Sequence, residues 1–287
     1  MTSLSNIANR IISSTSSACR GAIWQMKVNA GKPILFHLPD GTVVRLHPEG
    51  QIPELLFTHN FEFTELSLCS RVWQKGTNVI DIGANIGLYS IFASAGVGSS
   101  GRVYSFEPSS ESRSRLMRNL SLNGCSNVVV SSSAVADRSA SNALLVRENG
   151  FKDGDRYLQI DLTSARDLTA DHEEVHLCTL DEWSAAVGHP AIAFMKVDVE
   201  GGELAVFRGG SEFFCRNKDL VIMFECNLAT CERAGYSQDE LLGLLQKAGF
   251  GLYAWDKQTS SWVTEDAKLK RAGNVWASKF RNALPVI

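Results

Sequence analysis

Several signatures of membrane, secreted and metal-binding proteins are missing from this sequence. No apolar run reaches the roughly 18 residues that a membrane-spanning helix needs, so we predict none. The seven cysteines are odd in number and never form a C-x-x-C pair, which argues against both a disulfide framework and a cysteine zinc site. We therefore expect free thiols and a cytoplasmic protein.

A strong charge of either sign is also missing. The formal net charge is -3, so the chain has no broad positive field of the kind that attracts nucleic acid. We expect a small-molecule partner and no nucleic acid. The first acidic residue is Asp40, and the Ser-rich stretch before it carries only basic charges. This stretch resembles a transit peptide in composition, but a plain N-terminal extension is the favoured interpretation.

Internal repeats are absent, and the order of apolar segments is typical of an α/β fold with helices on both faces of a sheet. Strands are predicted for the runs TNVIDIG, GRVYSFEP, NVVVSSSAVAD, AIAFMKVDVEG, DLVIMFECN, GLYAWD and GNVWASK. Helices are predicted for EFTELSLCSRVW, LYSIFASAG (ending at Gly96), SSESRSRLMRNLSLNG, GELAVFRGGSEFF and SQDELLGLLQKAGF (with Ser237 as N-cap).

The segment pattern divides the chain into two parts. We predict an N-terminal extension and hairpin cap over residues 1–60, with the hairpin turning at Asp40 and Gly41. Residues 61–287 form one Rossmann-like domain in this prediction. It is interrupted at about 139–182 by polar, turn-rich text that we interpret as a hairpin-like insert.

The stretch VIDIGANIGLYS, residues 79–90, joins a predicted strand to a predicted helix through glycines. Such a turn leaves backbone N–H groups unpaired at the helix start, where a polar ligand can bind. A dinucleotide fold requires G-x-G-x-x-G, but the second and third places here are Asn85 and Leu88. Asp81 adds a negative charge where phosphates would lie. The turn therefore favours a ligand that carries a positive group.

Glu107 is the second feature of a cofactor site. It follows Gly83 by 24 residues and ends the second predicted strand, in FEP. A carboxylate at that place accepts hydrogen bonds from both hydroxyls of a ribose. The glycine turn and Glu107 together predict a nucleoside cofactor.

With these motifs the sequence resembles the class I methyltransferases that use S-adenosylmethionine, and among them the FkbM family. The resemblance is carried by VIDIGANIGLYS, FEPSS, TLDEW and MKVDVEGGELAVFRGG, over about residues 60–230. It implies a mostly parallel seven-stranded sheet whose last strand is antiparallel. It also implies a cofactor site with the methionine part among Asp81, Gly83, Asn85 and Gly87, the ribose at Glu107, the adenine near Ser133 and Ala134, and Glu62 at a further matching position.

Lys196, Asp198 and Glu200 form a second constellation. They alternate with two valines in MKVDVEG, so on a strand all three would project to one side. Because unpaired buried charges are costly, we expect them at the open carboxyl end of the sheet, where ligands bind. Asp198 or Glu200 is then a candidate general base for a hydroxyl acceptor, with Lys196 holding the pair or orienting the substrate.

Two alternatives remain for these carboxylates. Asp198 and Glu200, with Glu225 at the end of the next strand, could hold a divalent cation that lowers the pKa of the acceptor hydroxyl. A Lys–carboxylate pair could instead only fix the loop. Substitution of Asp198 by Asn separates a catalytic role from a structural one.

The run HEEVH, residues 172–176, matches the helical zinc motif H-E-x-x-H. The following VHLCTL alternates as a strand, on which His172 and His176 would lie about 13 Å apart at ~3.3 Å per residue. That separation is too large for one zinc, so we predict no metal there. Near the C-terminus, Trp255, Trp262 and Trp276 are expected to pack in the core, with substrate stacking as the alternative.

The predicted activity is methyl transfer to an acceptor oxygen, and family analogy points to a hydroxyl of a sugar or secondary metabolite. Two rivals are an NAD-dependent oxidoreductase on the same fold and a noncatalytic cofactor-binding module. The missing glycines argue against the first, and Asp198 with Glu200 against the second. The sequence is compatible with a homo-oligomer and does not determine the oligomeric state.

Overall fold

The computed structural model describes residues 17–48, 50–147, 156–159 and 172–285. The first part of the transit-like stretch, residues 1–16, and the middle of the predicted insert lie outside the described residues. Within the described ranges, no helix combines the length and the apolar character needed to cross a membrane.

Strands and helices alternate along the described part of the chain. The strands are β1 (Ile34–His37), β2 (Val43–Leu46), β3 (Asn78–Ile82), β4 (Arg102–Phe106), β5 (Val128–Ser131), β6 (Ala134–Val135), β7 (Ala140–Arg147), β8 (Arg156–Gln159), β9 (His172–Cys178), β10 (Ile192–Val197), β11 (Val221–Glu225), β12 (Gly251–Asp256), β13 (Ser261–Val263) and β14 (Asn274–Ser278). The helices are α1 (Ser17–Ala30), α2 (Gln51–Thr58), α3 (Phe63–Val72), α4 (Leu88–Val97), α5 (Ser110–Leu122), α6 (Leu180–Ala186), α7 (Glu203–Arg208), α8 (Ser211–Arg216), α9 (Leu228–Arg233), α10 (Gln238–Lys247) and α11 (Asp266–Leu269).

The main sheet contains eight strands among the described residues, in the order β13-β12-β14-β11-β10-β3-β4-β5. The five strands from β11 to β5 are parallel, and β14 runs antiparallel to both of its neighbours. The α/β Rossmann-like class and the antiparallel last strand are thus confirmed. The predicted count of seven missed β13, a three-residue edge strand that pairs with β12. Asp256 turns the chain back by accepting N–H bonds from Gln258 and Thr259.

Two helix predictions need correction, both at glycines. Helix α4 continues through Gly96 to Val97, because Gly96 faces the core, where an added Cβ would lie 2.8 Å from the Cβ of Trp73. The predicted helix GELAVFRGGSEFF is two short helices, α7 and α8, which are broken at Gly209 and Gly210. A side chain at Gly209 would collide with the Ala136 carbonyl oxygen, so the break lets two segments approach closely.

The described part of the insert belongs to a second sheet, in the order β6-β9-β7-β8. Strand β7 runs antiparallel to β8 and β9, and β6 joins β9 in parallel. The HEEVH run lies in β9, and both His172 and His176 are exposed. The structure therefore contains the strand that we predicted for this run in place of the helix that the zinc motif requires.

The hairpin β1–β2 packs on helix α5 through hydrogen bonds to an otherwise open strand edge. The Asn123 side chain accepts from the Val43 N–H at 2.9 Å and donates to the Val43 carbonyl at 2.7 Å. The Asn119 side chain accepts from the Arg45 N–H at 2.8 Å and donates to the Ile86 carbonyl at 2.9 Å. Apolar side chains of α1, α2 and the hairpin share a cluster with Ile86 and Leu88. The N-terminal segment is thereby linked to the glycine turn after β3 through the Asn119 side chain and through this apolar cluster.

We expect Asn119→Leu to lower the free energy of unfolding by about 2–5 kcal/mol, because it leaves two buried backbone groups without partners at ~1–3 kcal/mol each. Asn119 is fully buried. Chemical denaturation measures the change. Met117→Ala on the same helix is the control, since Met117 is 54% exposed. Equal stability of the two variants would show that these bonds contribute nothing.

Candidate active site

A cavity of about 280 Å³ lies at the carboxyl ends of the parallel strands. Its walls come from the turn after β3, the end of β4, the β5–β6 connection, the loop after β10 and the end of β11. This is the edge at which open α/β sheets bind ligands. Of the predicted site residues, Gly83, Asn85, Glu107, Ser133, Ala134, Glu62, Lys196, Asp198 and Glu200 line this one cavity.

The turn after β3 has a backbone that glycine makes possible. Gly83 and Gly87 have φ values of 81° and 89°, and Asn85 between them has 49°. A Cβ at Gly83 would also collide with the Asp198 carbonyl oxygen, so the turn and the loop after β10 are in backbone contact.

Four N–H groups of this turn, which we expected to be available to a ligand, are already bonded within the protein. Those of Gly83 and Ala84 both donate to the Phe106 carbonyl at 3.0 Å, and that of Gly87 donates to Ala84 at 2.8 Å. The Asn85 N–H donates to Glu107 at 2.8 Å. The Gly83, Ala84 and Asn85 amides therefore bind the neighbouring strand end, and the Gly87 amide closes the turn itself, so these four amides are not available to an anion.

Glu107 is buried at the end of β4 with both carboxylate oxygens fixed. Oε2 accepts the Asn85 N–H, and Oε1 accepts the Ser109 N–H at 2.9 Å. Burial raises the pKa of Glu107 to about 7 although the two N–H bonds oppose that shift. Because each carboxylate oxygen has a second lone pair, Glu107 retains capacity for two more donors. Two vicinal hydroxyls of a ribose would satisfy that capacity.

Asp81 and Lys196 are Cα partners in neighbouring strands β3 and β10. Asp81 is 1% exposed and accepts a hydrogen bond from Ser90 at 2.5 Å. Neither Asp81 nor Gly87, both predicted at the cofactor site, is among the residues that line the cavity. Burial would lower the pKa of Lys196, but the Asp198 and Asp81 carboxylates raise it above its ordinary value. Asp81 thus holds the charge of Lys196 from below.

Asp198, Glu200 and Glu225 form an acidic cluster at the other end of the cavity. One oxygen of each lies within 4.8 Å of the other two, a spacing that could hold a metal ion. Our placement of all three MKVDVEG charges on one strand needs correction. Strand β10 ends at Val197, so only Lys196 lies on it, and both Asp198 and Glu200 lie in the following loop, where Glu200 has φ 54°. Loop geometry, and not strand alternation, brings Glu200 to the cavity.

Buried Glu203, which belongs to none of the predicted sites, shapes that loop. Its carboxylate accepts N–H bonds from Val199 at 3.0 Å and from Gly201 at 3.1 Å, and a hydroxyl bond from Tyr236 at 3.0 Å. The glutamate is the last letter of the run VEGGE, so the only signal for it in the sequence is an acid directly after two glycines.

Each member of the acidic cluster has a different environment. Lys196 donates to Asp198 Oδ2 at 2.9 Å, and Arg233 lies 3.6 Å from Glu200 Oε2. Glu225 Oε2 is buried without a partner among the described residues. Burial, followed by repulsion from Asp198 and Glu200, raises the pKa of Glu225 to about 8.

The opposite end of the cavity is apolar and uses parts of the chain that carry no motif. Leu145 and Leu158 of the insert sheet face Ala134 there, and Gln51 and Leu55 of α2 close one side. These contacts could not be foreseen, since they depend on how two separate segments fold back over the main sheet.

We expect the unliganded protein to lose stability as pH rises from about 5 to 8.5. A carboxyl whose pKa is higher in the folded state binds its proton more tightly when folded. Its stabilising contribution is complete below the unfolded value of 4.5 and is lost as pH rises through about 7 for Glu107 and about 8 for Glu225. The double variant Glu107→Gln and Glu225→Gln should show a flatter profile of melting temperature against pH. Parallel profiles would contradict these two pKa values.

A family model described as the methyltransferase FkbM domain matches residues 81–252, which is more than half of the chain. The match begins at Asp81 and runs through the glycine turn, Glu107 and the acidic cluster. No curated protein matches the sequence significantly.

Three crystal structures illustrate the likeness to solved proteins. A methyltransferase FkbM from Methylobacillus flagellatus KT is 15% identical with a TM-score of 0.42, over 71% of this chain and 44% of that one. A SAM-dependent O-methyltransferase from Thermotoga maritima is 14% identical with a TM-score of 0.42, over 87% and 77%. A putative rRNA-methylase from Clostridium thermocellum is 11% identical with a TM-score of 0.44, over 75% and 92%. This chain thus spans less than half of the first protein's length.

Proposed function

Because the chain belongs to the FkbM methyltransferase family, we propose that it methylates a hydroxyl oxygen of a small molecule, a sugar or a secondary metabolite, with S-adenosylmethionine as donor. S-adenosylmethionine is the cofactor of this family. The observation that carries the proposal is one cavity with a buried ribose-type carboxylate, Glu107, at one end and the acidic cluster at the other.

The bound cofactor would supply an electrophilic methyl group on a positively charged sulfur. In this proposal Glu107 holds the ribose hydroxyls, and Ala134, Leu145 and Leu158 contact the adenine. The backbone around Gly83 and Asn85 borders the methionine part. Glu62 lies on the same wall with its carboxylate bonded to Asn274 at 3.0 Å, and burial raises its pKa.

Asp198 is the proposed general base. One of its oxygens is held by Lys196, which leaves Oδ1 to accept the proton of the acceptor hydroxyl as that oxygen attacks. Lys196 Nζ lies 4.8 Å from the centroid of the Tyr89 ring, and the Asp81 carboxylate on the neighbouring strand stabilises its charged form. Lys196 therefore orients the base, and Glu200 is the second candidate for it.

A divalent cation held by Asp198, Glu200 and Glu225 is the alternative role for the same cluster. The two hypotheses differ in one measurement. Dialysis against EDTA abolishes turnover if a cation lowers the hydroxyl pKa, and leaves it unchanged if a carboxylate acts alone.

The test of the proposed function is calorimetric titration with S-adenosylhomocysteine and with NAD, followed by transfer of labelled methyl from S-adenosylmethionine to a panel of glycosides and polyols. We expect binding of the first ligand, none of NAD, and label on oxygen. Binding of NAD alone would support the oxidoreductase, and cofactor binding with no methylated product in the panel would favour a noncatalytic module.

A cytoplasmic location is part of the same proposal. All seven cysteines are free thiols in the structure, as suits a reducing compartment. The net charge of -3 supports a small-molecule acceptor over nucleic acid.

A further inference from the structure

A second cavity, of about 540 Å³, lies beside the active site at the carboxyl end of β12 and against β14. We call it the tryptophan groove, and its principal lining residues are Glu65, Trp255, Asp256, Lys257, Arg271 and Asn274. Asn274 is the boundary between the two cavities. It is the Cα partner of Glu225 across the β11–β14 pair, and its amide donates to Glu62 at 3.0 Å. The two cavities have no lining residue in common, so a ligand that occupied both would extend across the Asn274–Glu62 pair.

The wall of the groove is a tryptophan ring held in a fixed orientation. Trp255 is half-buried and meets Trp262 edge-on, with ring centroids 5.2 Å apart. Trp262 packs in turn on Trp276 at 5.3 Å and donates its indole N–H to the Pro285 carbonyl at 2.8 Å. Because this orientation is set before any ligand binds, stacking on Trp255 costs little side-chain entropy.

The polar groups of the groove suit hydroxyls. Glu65 is only 8% exposed, and its Oε2 has no hydrogen-bond partner among the described residues. Its Oε1 binds Lys257 at 2.8 Å. Arg271 adds N–H donors on the rim. Glu65 Oε2 is shielded from solvent, so a ligand hydroxyl would bond to the donors at the rim, Lys257 and Arg271.

The charge of the groove disfavours two other ligands. Two of its cations are already paired, Lys257 with Glu65 and Lys268 with Asp256 at 3.4 Å. Among the described residues, the groove wall therefore has no cluster of unpaired cations that could bind a phosphate chain. A pure hydrocarbon would cover the charged groups at the rim, Lys257 and Arg271, without bonding to them. An aromatic face beside donors and acceptors is the combination that a sugar ring uses, with C–H groups on the ring face and hydroxyls at its edge.

We propose that the tryptophan groove binds a neutral carbohydrate ring of the acceptor, stacked on Trp255, while a hydroxyl of the adjoining unit reaches Asp198. This inference rests on the proposed function and narrows its substrate class to glycosides and oligosaccharides. Trp255 is then a specificity residue that contributes to acceptor binding and leaves the cofactor site unchanged.

The test is retention of the protein, saturated with S-adenosylhomocysteine, on an array of neutral and sulfated oligosaccharides. We expect wild-type protein to be retained on neutral oligosaccharides and roughly fivefold or greater weakening in Trp255→Ala, since an aromatic contact of this kind is worth ~1 kcal/mol or more. Trp255→Phe keeps a flat ring and should recover most of the retention. Phe280→Ala is the matched control, because Phe280 is 48% exposed and does not line the groove.

Calorimetry with S-adenosylhomocysteine on the same samples separates the two proposals. If cofactor affinity is normal, three results overturn the groove assignment only. They are no retention on neutral glycans, retention on sulfated glycans alone, and unchanged retention of Trp255→Ala. Loss of cofactor binding in the wild type overturns the proposed function as well. Should Trp255→Ala unfold, an equal loss of retention in Trp255→Phe and in Phe280→Ala would also contradict the proposal.

Discussion

Replacement of Glu107 by Gln should weaken S-adenosylhomocysteine binding by about 100-fold, since two hydrogen bonds to a charged group together contribute roughly 3 kcal/mol. The carboxylate accepts bonds from the Asn85 and Ser109 N–H groups, one on each oxygen. A glutamine places an NH₂ donor against one of these donors. It also presents only one oxygen to the two ribose hydroxyls.

Calorimetry at pH 8 measures this effect best, because the pKa of Glu107 is raised to about 7 and the wild-type carboxylate is then ionised. The control is Glu111→Gln, four residues further along, where an exposed carboxylate pairs with its helix neighbour Arg115. It should bind like wild type. An affinity of Glu107→Gln within threefold of the control would remove Glu107 from the cofactor site.

The sequence was most informative where local chemistry and structure coincide. The glycine turn and Glu107 could be located from the sequence alone. Positive φ angles favour glycine, and an acidic residue directly after a strand lies at the carboxyl end of the sheet. The same logic located Lys196 and Asp198. It failed at Glu200, three residues beyond the end of the strand, since a period of two applies only while the backbone is extended.

Features that depend on distant segments could not be predicted. Leu145 and Leu158 reach the cavity from strands β7 and β8 of the second sheet, which carry no functional motif, and Asn119 binds the hairpin from a helix for which we predicted no contact. The pairing of the Gly83 and Ala84 amides belongs to the same class, because the Phe106 carbonyl that accepts both bonds lies on another strand. Strand register, which fixes such contacts, is a property of the assembled sheet.

Replacement of Asp198 by Asn should lower the rate of methyl transfer by about 10²–10⁴-fold, the usual contribution of a positioned general base. The amide keeps the size of the carboxylate but cannot take a proton from the acceptor hydroxyl. Affinity for S-adenosylhomocysteine should stay within about threefold, since Glu107 and the glycine turn are untouched and Asp81 still neutralises Lys196. Single-turnover assays with a saturating acceptor from the glycoside panel isolate this step from binding.

Comparison with Glu200→Gln then assigns the base within the acidic cluster. Glu200 is drawn toward Arg233, whereas Asp198 is held by Lys196 with one oxygen free, so we expect the loss to be larger at Asp198. Asp219→Asn controls for the general effect of losing a carboxylate, because Asp219 is exposed and lies just before the amino end of β11, away from the cavity. Equal, large losses at Asp198 and Glu200 together with sensitivity to EDTA would identify a shared cation. Full activity of Asp198→Asn would show that Asp198 is not the general base, because an amide cannot accept the proton of the acceptor hydroxyl.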